Sequence, residues 1–469
     1  MRSVFPVKRG EALTVALLAF NVFTLLLSYY VLKVVREPLI LLGGGAELKS
    51  YASAGQTILL LGVVPAFGWL ASRVSRIRLL TIMQLIFIGC LVAFYLLAQA
   101  KAPIGLAFYI WLGIFNALVV SNFWSFANDL YTEEEGKRLF ALIGIGASIG
   151  AIIGAFLPHV LEPILKVHGL MALAVGCLVL SIFLYRIVDH RESARANKEV
   201  PSAKEEKPDK SGGFGMVIKD RYLRLIAFML LSATVVNSVG EYVIGKMATG
   251  KAEAYAKEKM QASGAAPTPD TPAKAEPAKV AAPDGKPAPT AKDQQKELED
   301  HYLSKFYSDY YGLVNLVGFI LQAFIVAKLL TWLGIRKALF IMPVIVFGGW
   351  FALAIFLTTS LVRIEKTAEN SMDYSLHNTL RQALFLPTSK EAKYKAKAAI
   401  DTFFFRMGDV LQGILVFVLA GVLGLGLHVF AVANVALAGV WLFLVWRTGI
   451  VHDERVAEHE KLEKHEQAV

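Results

Sequence analysis

The sequence predicts an all-α membrane protein, with twelve transmembrane helices arranged as two six-helix pseudo-repeats. Three observations carry that expectation: the composition, the number of apolar runs and a weak internal repeat. Of 469 residues, 55% are hydrophobic and only 18% charged, and the mean hydropathy is +0.52. Soluble domains carry about 25% charged residues, so soluble globular and fibrous classes are excluded. A membrane span takes roughly 20 apolar residues, so twelve consume about 240, which this chain can supply. The net charge of +10 is accounted for by basic residues between spans, and no nucleic-acid partner is implied. Cys90 and Cys177 sit inside apolar runs, so no disulfide framework is expected.

Apolar runs over residues 12–42, 51–70, 79–97, 104–126, 140–165 and 170–187 read as six spans. The first is too long, and too charged at its far end, for a cleaved signal peptide. A polar linker at 189–217 separates them from runs over 222–243, 311–330, 338–357, 398–425 and 427–446. The segment 360–386 is the uncertain one. The expected domains are residues 1–188, the linker 189–217, a second bundle over 218–447, and a charged tail at 448–469.

Basic residues set the orientation. Connections rich in them (Arg73, Arg76 and Arg78; Lys328, Arg336 and Lys337; Lys390, Lys393, Lys395 and Lys397) alternate with poor ones (Lys49, Lys101, Lys166, Arg363). The rich set shares a side with Arg2, Lys8 and Arg9, which places both termini in the cytoplasm if 360–386 crosses the membrane. The expected location is the plasma (inner) membrane. Residues 248–300 then form an outer insertion. Between 261 and 293 it holds seven of the chain's 17 prolines, a composition expected to be disordered, and residues 297–306 read as a helical lead-in to the next span.

The halves echo one another. Ser28-x-x-Val31-x-x-x-Val35-x-Glu37 recurs as Ser232-x-x-Val235-x-x-x-Val239-x-Glu241, and Thr132-x-x-Glu135-Gly-Lys137 recurs as Thr388-x-x-Glu391-Ala-Lys393. The spacing between repeats grows by the length of the insertion, as a 6+6 duplication requires. Between the second and third runs, Gly68-Trp-Leu-Ala-Ser-Arg73-Val-Ser-Arg76 has the Gly-x-Leu-Ala-x-Arg-x-x-Arg layout of major facilitator transporters and resembles that family, with Ser72 where an Asp is usual.

Ionisable groups inside a span are functional hypotheses by default. Lys33, Arg36 and Glu37 share one helical face, and Glu37 repeats as Glu241, with Asn237 one turn earlier. In 360–386, Lys366, Asn370, Asp373, His377 and Arg381 form a polar stripe at helical spacing, which must line a water-filled cavity if the segment spans. Asp401, Arg406 and Asp409 follow, the last two spaced i,i+3 as expected partners. Arg73, Arg76, Asp401, Arg406 and Asp409 are the candidates for gating or ion pairing.

Other signals fail on inspection. Gly240-Glu-Tyr-Val-Ile-Gly-Lys246 has phosphate-loop spacing but lacks the Ser/Thr and the strand–loop–helix context. Gly146, Gly150 and Gly154 read as helix-packing steps. His452, His459 and His465 read as a solvated helical tail with no metal motif. No nucleophile–base arrangement is visible, so neither an enzyme, a cofactor nor a metal is expected.

The chain also resembles the ATP/ADP translocases of intracellular bacteria and plastids. The likeness rests on Tyr30–Leu39, on Phe123-Trp-Ser-Phe-Ala-Asn128, on Asn237-Ser-Val-Gly-Glu241, and on Tyr374-Ser-Leu-His-Asn-Thr-Leu-Arg381 with Lys393–Asp401. It implies a nucleotide exchanger working by alternating access, with functional charges at Arg36, Glu37, Glu241 and Arg381. Arg36 and Arg381 stand where the family has Lys, which keeps the charge but changes hydrogen-bond geometry. The family's acidic residue early in the fourth span has no counterpart; Asn116 is the only polar group in 110–116. Lys33, Asn116, Asn128, Asn237, Asp373 and His377 complete the expected substrate-binding set. The expected partners are a nucleotide or other anionic small molecule and the lipid bilayer, and the protein is read as a monomer. Two alternatives stay open: a facilitator for another anionic or drug-like solute, proton-coupled through Glu37, Glu241 or Asp373, and a non-transporting membrane sensor.

Overall fold

The computed structural model describes residues 11–71, 73–131, 133–196, 213–262, 290–388, 392 and 396–468. The helices are α1 (Ala12–Ala71), α2 (Arg76–Gln99), α3 (Gly105–Leu130), α4 (Glu133–Ala196), α5 (Gly213–Lys219), α6 (Arg221–Ala262), α7 (Ala291–Ile320), α8 (Val326–Ile355), α9 (Thr359–Met372), α10 (Asn378–Ala383), α11 (Lys397–Ala399), α12 (Phe405–Val416) and α13 (Leu427–Ala468). This is an all-α membrane protein. Among the described residues, eight helices are long and apolar enough to cross a membrane.

Three of those eight, 56, 51 and 65 residues long, are each broken in the middle. In α1 the break falls at Gly44 and Gly45, where Gly45 takes φ +74°, a conformation that glycine adopts without steric cost. In α4 it falls at Lys166, a non-glycine residue at φ +52°. In α8 it falls at Gly334, at φ +69°. Each of these helices is therefore a pair of arms.

Packing inside a membrane rests on close approach and interhelical hydrogen bonds rather than on hydrophobic expulsion. Gly146, Gly150 and Gly154 show the first of these. A methyl group on any of them would overlap the backbone of Ala19, Phe23 or Leu27, so the first arm of α4 lies against the first arm of α1. One apolar cluster contains only residues from Val15 to Val188. The other is centred on residues from Val217 to Val451 and also takes in Tyr30, Val34, Tyr109, Ala151 and Ala155. The seam between the first and second parts of the chain thus runs through the second cluster. Outward-facing side chains such as Ile58, Ile164, Phe324 and Trp332 are more than half exposed, a surface suited to lipid.

Polar pairs cross the seam at the end of the bundle that carries the insertion. The Ser308 hydroxyl donates to the carbonyl of Ala155 at 2.6 Å, and Asn315 donates to that of Ala151 at 3.3 Å. Gln412 donates to Ser50 at 2.9 Å.

The insertion is helical at both edges. α6 continues to Ala262, and α7 starts at Ala291 with a capping box in which Thr290 and Asp293 bond reciprocally. Those bonds from Thr290 hold the Asp293 carboxyl below its ordinary range. The expectation of disorder concerns mainly residues 263–289, which lie outside the described residues. So do linker residues 197–212 and Lys390, Lys393 and Lys395.

The tail departs from expectation. α13 runs on to Ala468, and His452 is buried with a ring nitrogen 2.7 Å from the Tyr222 hydroxyl. It is not a solvated residue, because α6 packs along α13 there. The side chains of His459 and His465 lie outside the described residues.

Segment 360–386 is helical, but not as one regular helix. After α9 the chain makes a π-helical turn over Asp373–His377 before α10. Similar turns occupy Leu321–Ile325, Ile400–Phe404 and Phe417–Val422. Such bulges rotate everything that follows them and are frequent at functional sites.

Candidate functional site: a charged cavity on the seam

A cavity of about 250 Å³ sits on the seam, lined from both sides by α1, α3, α6, α7, α9 and α12. Its volume is just below the roughly 300–1,000 Å³ usual for ligand pockets. Four basic side chains reach it: Lys33, Arg36, Lys49 and Arg406. Three carboxylates do so as well: Glu241, Asp373 and Asp409.

Two of the cations are tied up. Glu37, with no exposed surface, bonds Arg36 directly and lies 2.8 Å from the Lys49 ammonium. Tyr311 donates to the same carboxylate at 2.9 Å. Lys49 also approaches Glu241 at 3.4 Å, so a single lysine of α1 joins carboxylates from both parts of the chain. The Arg36 guanidinium lies 4.3 Å over the Tyr109 ring, adding a cation–π contact.

The other two cations form no ion pair. Among the described residues, neither Lys33 nor Arg406 has a carboxylate within 4 Å. Lys33 sits 4.1 Å over the Tyr311 ring and 3.4 Å from the Tyr374 hydroxyl. Arg406 and Asp409 do not pair; Asp409 accepts from the Ser238 hydroxyl at 2.7 Å. Glu241 accepts from Asn370 at 3.0 Å and from Tyr310 at 3.3 Å. Asn237 donates to Asn370 at 2.6 Å.

Of the substrate-site residues expected from sequence, Lys33, Arg36, Asn116, Asn237, Glu241 and Asp373 line this cavity, and Glu37 stands directly behind it. Three others lie elsewhere. Asn128 is exposed near the far end of α3. His377 is buried edge-on against Trp441, ring centroids 5.8 Å apart. Arg381 lies 3.4 Å from Asp401 and over Phe405, toward the end holding the termini. The π turn over Asp373–His377 accounts for the split: it rotates the second half of the polar stripe away from the cavity.

Of the gating candidates, Arg76 pairs with Asp129 at 2.8 Å and approaches Asp189 at 3.9 Å, while Arg73 stacks on Trp69 at 3.9 Å. Sequence reasoning missed Lys49 as a site residue. It lies one turn beyond the glycine break, which reads as a loop; the clue was a lysine on an otherwise apolar, tyrosine-bearing arm.

A second set of ion pairs crosses the seam beyond the cavity, toward the insertion. His159 is 2.5 Å from Asp309, His301 is 2.8 Å from Glu162, and Lys166 is 3.2 Å from Glu297. Lys246 and Tyr242 both donate to Glu47, at 2.6 and 3.0 Å. Partly buried near Glu162, the Asp300 carboxyl is pushed up to about 6, chiefly by its burial. These contacts join the two parts of the chain on the insertion side of the cavity.

A sequence profile described as Major Facilitator Superfamily matches residues 12–249, half of the chain. The chain belongs to the major facilitator superfamily. Solved structures share the fold across nearly its whole length. The nucleoside transporter NupG is similar with a TM-score of 0.56 at 13% identity, covering 93% of this chain and 99% of its own. A POT family transporter in complex with a thioalcohol conjugated peptide gives 0.61 at 13% identity, covering 94% and 96%.

Among curated proteins, ADP,ATP carrier protein 1 of Chlamydia trachomatis is 24% identical over 381 residues, 71% of this chain and 63% of that protein. ADP,ATP carrier protein 2 of the same organism is 24% identical over 310 residues, 51% of this chain and 55% of that protein. The chain therefore spans less than two thirds of the length of these curated relatives. The resemblance read from the motifs is to the same carriers.

Proposed function

We propose that this facilitator exchanges nucleotides of the ATP/ADP type across the inner membrane by alternating access. The observation that supports this most is the presence of Lys33 and Arg406 in the seam cavity with no acid of their own, beside Arg36 and Lys49. A nucleotide brings several negative charges and a planar base. Guanidinium forks suit the phosphates, and the rings of Tyr29, Tyr109, Tyr311 and Tyr374 offer faces for the base. The site residues are then Lys33, Arg36, Lys49, Asn116, Asn237, Glu241, Asp373 and Arg406, and Arg381–Asp401 belongs to the opposite gate.

The same reading takes α1, α4 and the α7–α8 rod as two spans each and 359–383 as one more, which gives twelve. It divides the chain into bundles at 1–188 and 218–447, with both termini cytoplasmic and the insertion outside. Rocking of one bundle on the other would open the cavity alternately to each side. The protein acts as a monomer, without cofactor or metal, and catalyses no reaction.

Counterflow in proteoliposomes tests this. Vesicles loaded with unlabelled ATP should accumulate labelled ADP, and loading with a non-nucleotide anion should not support uptake. Because ATP⁴⁻ for ADP³⁻ moves one net charge, a membrane potential should bias the exchange. Uptake that ignores internal nucleotide would sink the reading in favour of another anionic or drug-like solute.

A further inference from the structure

Beside the cavity, α9 carries Glu365, Lys366 and Glu369 within five residues. All three are buried, Lys366 and Glu369 completely. The Lys366 ammonium lies 2.9 Å from one Glu369 oxygen and 3.0 Å from the Asn237 carbonyl, and 3.7 Å from Glu241 on the cavity wall. The second Glu369 oxygen and one Glu365 oxygen are buried with no hydrogen-bond partner among the described residues. Glu365 reaches this depth because α8 has glycine at 349; a methyl group there would overlap the carboxylate. Trp350 of α8 and Lys366 of α9 both lie against Gly240 of α6, and the Trp350 indole nitrogen is buried with no partner among the described residues.

The charges do not balance. Two carboxylates one helical turn apart stand beside a single ammonium, which pairs with Glu369 and not with Glu365, and a carboxylate taken out of water unpaired costs several kcal/mol. The neighbours do not supply the missing charge. α6 faces the triad with Glu241, already shared with Lys49. α7 offers the Tyr310 hydroxyl, 3.5 Å from the Lys366 carbonyl. α8 offers Gly349 and Trp350, and Asp373 follows one turn on. Beyond Glu241 stand Lys49, 3.4 Å from it, and Lys33 on the cavity wall; among the described residues neither lies within 4 Å of Glu365 or Glu369. A metal ion is disfavoured because the Lys366 ammonium already occupies the space between Glu369 and Glu241.

We propose that Glu365, Lys366 and Glu369 form a proton-binding site that holds one proton at neutral pH and reports it to the transport cavity through Lys366. With the proton on Glu369, Lys366 is free to serve Glu241, and the cavity side of the bundle is one charge more positive. When the proton leaves to water, Lys366 is held by Glu369. Anion affinity then falls as pH rises, and by linkage an anion that binds draws a proton in. A unit charge about 10 Å away, at an effective dielectric of about 20, changes affinity roughly tenfold.

Proton binding does not rest on the nucleotide reading, and the first test needs no substrate. Infrared spectra of the purified protein in nanodiscs should show the carbonyl band of a protonated carboxylic acid at neutral pH, fading in alkali. Glu365→Gln or Glu369→Gln should each abolish it, because Lys366 then balances the one remaining carboxylate. Lys366→Met should enlarge it. A wild-type spectrum without the band, or a band indifferent to both glutamine variants, would overturn the proposal. In the second test ATP affinity should fall about tenfold as the band fades, and Glu369→Gln should flatten that dependence. An unchanged affinity profile in a protein that shows the band and binds ATP would overturn the coupling. Failure to bind ATP at any pH would instead count against the nucleotide reading alone.

Discussion

At the scale of single residues, the cavity separates cations that are held by acids from cations that are not, and the two kinds should respond differently to removal. Arg406 forms no ion pair among the described residues, so Arg406→Ala chiefly subtracts what it gives the substrate. A charged hydrogen bond is worth about 1.5–3 kcal/mol, so substrate affinity should fall roughly 10- to 150-fold, measured by binding to the purified protein. Arg381→Ala removes the partner of Asp401 at a distance from the cavity; it should leave affinity within a few-fold and slow turnover instead. Equal losses of affinity in the two variants would mean that Arg381 reaches substrate in another conformer. Helical spacing was enough to put Lys33, Arg36 and Glu37 together, and the repeat pointed to Glu241. It could not find Lys49, whose place depends on how α1 turns back on itself at Gly45. Nor could it foresee that a π turn would part Arg381 from Asp373, since one extra residue per turn leaves no mark on the apolar pattern.

At the scale of elements, the tightest joint is the glycine face of α4 against α1. Adding a methyl group at Gly150 meets backbone, not a side chain that could move. Gly150→Ala should therefore lower stability by about 1–3 kcal/mol, seen as a lower melting temperature in detergent, whereas Gly144→Ala, which meets nothing within 4 Å, should be silent. The insertion yields a second expectation. Removing residues 263–289 spares both helical edges and should leave transport within a few-fold of the parent. Thr290→Ala breaks the capping box of α7 and should cost about 1 kcal/mol of local helix stability, visible as faster hydrogen exchange over its first turn. The apolar runs announced most of these helices because twenty apolar residues have few other uses. Their real ends did not show: α6 and α7 continue past the membrane on polar residues whose composition alone reads as loop.

At the scale of the whole molecule, the contacts on the insertion side hold one conformer of a carrier that must have at least two. Asp300, partly buried near Glu162, has its ionisation pushed up to about 6, above the ordinary aspartate value near 3.9. An acid raised in this way opposes the closed arrangement when ionised. Closure therefore gains as pH falls through about 6 and loses as pH rises above it. Spin labels at positions 166 and 297, which face each other across the seam, should show a larger short-distance population at about pH 5 than at about pH 7. Asp300→Asn should hold that population high at both. An opposite trend in the parent would place the controlling charge elsewhere in the cluster.

Lys49 gives the carrier a way to avoid waste. Its ammonium answers to Glu37 on its own helix and to Glu241 across the seam, and a phosphate arriving in the cavity would compete for it with both. On the exchange reading, an empty protein would have nothing to offer in their place and would stay latched. If the proposed exchange of nucleotides holds, such a latch would tie each outward molecule to an inward one, with Lys49 as the side chain that joins the two halves at the cavity. Replacing Lys49 with methionine should convert obligatory swapping into leak, read as efflux of labelled nucleotide into medium that contains none.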